Sequence, residues 1–139
     1  MPQIRALLGG TKTELAGGLN LFWEPRVISV EFPNGRRQKV DYQLREDQYI
    51  FSSRVATAGS LYNISWGELA REILMRNRFT SVVAFGFGKR DCVEAWIRQR
   101  ASTLQAEELK FYVGQLAREA DRFEYLLTGK DVYLIFLGL

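Results

Sequence analysis

Histidine is absent from the 139-residue chain, and cysteine occurs once, at Cys92. Without a second thiol no intramolecular disulfide can form, and zinc or haem sites built on clustered Cys and His ligands are excluded. The same shortage removes most nucleophilic catalysis. No imidazole is present to take a proton from Cys92 or from a serine, and neither a G-x-S-x-G elbow nor an S-x-x-K pattern occurs. No closely spaced Asp cluster argues for magnesium. Cys92 reads as a small buried or half-buried hydrophobe of a strand. A non-enzymatic chain is expected, with no catalytic residue, no metal and no cofactor.

Long apolar runs are also missing. No stretch reaches the roughly 18 residues of a membrane span, and the opening MPQIRALLGG lacks the apolar run and cleavage site of a signal peptide. The cytoplasm is the expected compartment, and a lone cysteine fits its reducing conditions. Charge of a single sign is lacking as well. Nineteen Lys and Arg stand against 16 Asp and Glu, with 8 basic and 6 acidic residues before Trp66 and 11 and 10 from there on. Neither half carries the one-signed field of a nucleic-acid or membrane-surface binder.

What is present is the balance of a domain that buries a core: 47% apolar and 13% aromatic residues, in a chain long enough to need no staples. One domain over residues 1–139 is expected. Residues 1–25 hold two Gly pairs, Gly9-Gly10 and Gly17-Gly18, and no sustained period, so they stand as an N-terminal extension without an assigned element. Val27 to Phe32, Val40 to Leu44 and Tyr49 to Val55 predict strands, the first two alternating apolar with polar. Pro33-Asn34-Gly35 and Arg45-Glu46-Asp47 supply turns between them, too short for the crossovers of parallel strands, so an antiparallel meander follows.

Beyond Ser60 the period changes to that of a helix. Ser65 and Glu68 match a capping box, and Trp66, Leu69, Ala70, Ile73 and Leu74 form an apolar stripe, with Asn77 as the expected C-terminal stop. Val82 to Phe87 and Cys92 to Gln99 predict a second hairpin about Gly88-Lys89-Arg90-Asp91. Gly86 and Gly88 lie between two strands rather than ahead of a helix, which rules out a nucleotide loop. From about Gln105 to Thr128, Leu109, Val113, Leu116, Ala120 and Phe123 mark one helical face, with Gly129 as its terminator. Leu69, Ile73, Leu116, Ala120 and Phe123 are expected to face the sheet. Glu119, Asp121 and Glu124, interleaved with Arg118 and Arg122, read as a solvated, salt-bridged surface. The expected fold is α+β, an antiparallel sheet of about five strands in the order β-β-β-α-β-β-α with helices packed on one face.

Several stretches carry a resemblance: Ile50 to Ala56 (IFSSRVA), Glu68 to Asn77 (ELAREILMRN), Ala84 to Phe87 (AFGF) and above all Glu107 to Asp131 (EELKFYVGQLAREADRFEYLLTGKD). The last contains L-x-x-x-A-D-x-[FL]-E-x-L-L from Leu116 on. Over residues 26–131 the chain resembles the YbjN-like family, whose fold is shared with class I type III secretion chaperones and whose members begin with a helix ahead of the meander. The resemblance implies an adaptor or chaperone-like module that binds a segment of a partner protein, frequently as a homodimer.

Side chains that could meet such a client are the aromatics Phe111 and Tyr125, off the main stripe of the last helix, and Trp96 on a strand. The charge-free segment 132–139, VYLIFLGL, with Val132, Tyr133, Ile135 and Phe136, must also be covered, in cis or by a second subunit. An alternative reading makes the protein a nucleic-acid-associated regulator through Arg36, Arg37, Lys39, Lys89 and Arg90, at two hairpin ends. The plainer account of those five is solvated turns, so nucleic acid is not the expected partner.

Overall fold

The computed structural model describes residues 3–61, 64–80 and 82–129. The chain runs α1 (Ile4–Leu8), β1 (Lys12–Glu14), β2 (Asn20–Glu24), β3 (Val27–Glu31), β4 (Arg37–Arg45), β5 (Gln48–Ala56), α2 (Trp66–Phe79), β6 (Ala84–Phe87), β7 (Val93–Arg100) and α3 (Ala106–Thr128). This is the expected α+β order with three elements added in front. Among the described residues seven strands form one antiparallel sheet in the order β1-β2-β3-β4-β5-β7-β6.

The additions come from residues 1–25. Gly9 (φ 83°) ends α1 in the left-handed region, its N–H donating to Ala6 O at 3.1 Å, and Gly17 and Gly18 (φ 85° and 80°) turn the chain from β1 to β2. The two Gly pairs are therefore terminators of elements too short to show a period. Further on, Gly35 (φ 88°) turns β3 into β4, and Glu46 (φ 54°) turns β4 into β5.

Register assigns the two faces of the sheet. Leu21, Val30, Gln38, Ile28, Val40, Phe51, Ala95 and Ile97 share one side and are buried. Against that side α3 lies across β5, β4 and β7, α2 lies against β6, and α1 packs on α3. Leu69, Ile73, Leu116, Ala120 and Phe123 are at most 6% exposed, the inward set expected. Burying each of the Leu, Ile and Phe side chains among them stabilises by about 1.5–3 kcal/mol. The opposite side, with Phe22, Ser29, Lys39, Asp41, Ile50 and Trp96, carries no helix among the described residues. The Trp96 ring reaches Gly86 there, where a Cβ would stand 2.7 Å from its edge; the glycine serves packing.

Three sequence expectations change. Asn77 does not stop α2, which continues to Phe79 with Thr80 as its C-cap, because the Asn77 side chain is bonded to β6. Trp66 and Leu74 are 56% and 66% exposed, so the buried stripe of α2 is Leu69 and Ile73. Glu119 and Asp121 are not solvated. Both are less than a tenth exposed and bonded to arginines from other elements, Glu119 to Arg76 at 3.1 Å and Asp121 to Arg36. A carboxylate can sit at that depth only with such a partner.

Candidate partner-binding site

The residues singled out by sequence are dispersed. Phe111 and Tyr125 are exposed on α3, 57% and 56%, but 14 residues apart, which at 1.5 Å per residue is about 21 Å. Trp96 is on the opposite side of the sheet. Val132, Tyr133, Ile135 and Phe136 lie outside the described residues. Arg36, Arg37 and Lys39 sit at the β3–β4 turn, and Lys89 and Arg90 at the β6–β7 turn. Both turns are at the same end of the sheet but separated by β5. Arg36 is held by Asp121, and Arg37 by Glu31 at 2.7 Å.

The structure brings a different set together. Where β4 ends and β5 begins, the helix-bearing side of the sheet is left open beside α1 in a groove of about 630 Å³. Ile4, Trp23, Tyr42, Leu44 and Tyr49 form its apolar lining, and Arg5, Arg26, Gln3 and Gln43 its polar lining. Period two places them: Tyr42 and Leu44 continue the buried side of β4 toward its end, and Tyr49 stands opposite Leu44. Trp23 continues the buried side of β2.

The lining is ordered by its own contacts. The Trp23 indole N–H donates to Tyr42 Oη at 2.8 Å, and Tyr42 meets Tyr49 nearly edge-on at 6.5 Å. The Arg5 guanidinium stands 5.5 Å from the Trp23 ring centre, within cation–π range. Burial, with the neighbouring Tyr42 second, raises the Tyr49 phenol above its ordinary 10.0. The strand aromatics Tyr42 and Tyr49 were visible in the sequence. Their meeting with Trp23 and α1 was not, because residues 1–25 carry no readable period.

Such a groove supplies apolar area, rigid aromatic rings and two cations, and no proton-transfer pair. It can bind an extended or helical segment whose side chains are apolar with an acidic flank. Cys92 is buried, with its Sγ 3.8 Å from Arg90 O. Among the described residues no helix is long and apolar enough to cross a membrane.

No protein-family model and no curated protein matches the chain. Solved structures do. A chain of the heterodimeric complex ExoU-SpcU from the type III secretion system of Pseudomonas aeruginosa superposes with a TM-score of 0.59 at 14% identity, covering 92% of this chain and 100% of that one. A chain of the ExsC-ExsE complex superposes with a TM-score of 0.52 at 17% identity, covering 84% and 80%. At these identities the likeness is one of fold.

Proposed function

We propose that this protein is a non-enzymatic, chaperone-like adaptor that holds a segment of a partner protein in the aromatic groove beside α1. The observation that carries the reading is the groove itself: Leu44, 45% exposed, and the half-buried rings of Trp23 and Tyr42, with the cations of Arg5 and Arg26 also in the lining. Two further points support it. The sequence resembles the YbjN-like family, which implies partner binding, and the solved chains of the same fold come from two-protein complexes. The reading includes membership of that family, a cytoplasmic location and a homodimeric state.

The test uses the whole chain as bait, with Leu44→Glu as the groove variant and Phe111→Ser as the control on α3. Both positions are exposed, so both variants should fold. Proteins retained by the wild type and by Phe111→Ser should be lost with Leu44→Glu, and retention should persist between low and moderate salt, since apolar capture releases few counterions. A partner set that Leu44→Glu leaves unchanged, or that nuclease removes, sinks the reading.

A further inference from the structure

Among the described residues strand β6 ends the sheet, with β7 on one side and no strand on the other. In an antiparallel ladder the N–H and C=O of one residue point the same way, and successive residues alternate. At Phe85 both groups go to Asn77. The Phe85 N–H donates to Asn77 Oδ1 at 2.8 Å, and Asn77 Nδ2 donates to Phe85 O at 3.0 Å. The side-chain amide therefore takes the place that the peptide group of a further strand would take. One turn on, Thr80 Oγ1 donates to Val83 O at 2.8 Å. Asn is a weak helix former, so helix stability does not explain it in the last turn of α2; its two bonds to β6 do.

The edge it covers is otherwise prone to association. Ala84 to Phe87 carries no charge, and Phe87 and Val82 are exposed beside it. The other edge of the sheet, β1, is three residues long and holds Lys12 and Glu14, which discourage pairing. Two copies of an uncharged edge can pair antiparallel about a two-fold axis without repulsion, each presenting the same surface.

We infer that Asn77 is an edge guard, occupying the outward hydrogen-bonding groups of Phe85 in the middle of β6 so that a second copy of this chain cannot add its own β6 there. The inference is independent of the groove.

The test compares wild type, Asn77→Ala and Asn77→Ala with Phe87→Lys, by sedimentation and by amide exchange at Phe85. In the wild type the Phe85 amide should be as protected as those of its neighbours bonded to β7. In dilute Asn77→Ala it should exchange about tenfold faster. Raising Asn77→Ala from about 1 to about 100 µM, a span covering weak dimer affinities, should double its mass relative to the wild type. The charge of Phe87→Lys should return the wild-type mass. Three outcomes overturn the inference: an unprotected Phe85 amide in the wild type, which needs no variant to fold; an Asn77→Ala mass that follows the wild type throughout; or association that Phe87→Lys does not reverse.

Discussion

Phe123 is 1% exposed, meets Phe85 edge-on at 4.9 Å and lies 6.0 Å beneath the Arg76 guanidinium. Cutting it to alanine removes the ring and leaves a cavity where α2, α3 and β6 converge. Phe123→Ala should therefore cost about 3–5 kcal/mol in a denaturant titration; a loss under about 1 kcal/mol would mean the wrong stripe of α3 faces inward. Tyr49 makes a prediction in pH. Burial raises its folded-state phenol above 10.0, so the folded chain holds that proton more tightly than the unfolded one. The contribution is fully present below about pH 10 and is lost as pH rises through the folded value. Stability of the wild type should fall across that window, and Tyr49→Phe should flatten the fall. Equal slopes for the two proteins would contradict it.

Between elements, charge does work that the sequence pattern hid. Glu119 lies on α3 with its side chain 10% exposed, and it joins Arg76 of α2, 17% exposed, at 3.1 Å. Read along the helix alone, Glu119 has Arg122 one turn away and resembles any solvated pair. That contact is the longer one, at 3.7 Å. The closer partner is 43 residues distant in the chain, and no local period reveals it. Removing the carboxylate would leave Arg76 partly buried without its partner. Glu119→Ala should cost about 2–3 kcal/mol in a urea titration, and adding Arg76→Met should recover much of the loss. If the double variant is as unstable as the sum of the two single ones, the pair does not couple α2 to α3.

In the whole molecule, the local periods and the sheet order carry different information. Alternation over β3 and β4, the extended runs of β5 and β7, the apolar stripe of α3, and Gly35 and Gly129 as terminators could all be read from neighbouring residues, because period two and period 3.6 are local properties of a chain with one buried side. From them follow the α+β class, the antiparallel meander and the inward set Leu69, Ile73, Leu116, Ala120 and Phe123. The absence of histidine and of a second cysteine likewise settled, from composition alone, that no Cys/His metal site or disulfide forms within the chain. Three matters waited for tertiary structure. Elements of three to five residues, α1, β1 and β2, are held by pairing with β3 and packing on α3 and show little period of their own. The groove of Trp23, Tyr42 and Tyr49 exists because α1 and β2 are brought beside the end of β4 and the start of β5, a matter of tertiary placement. Asn77 reads as a helix stop until β6 is laid beside it, when its amide becomes the missing neighbour of a sheet edge. Each depends on which distant residues meet, and loop closure and packing decide that.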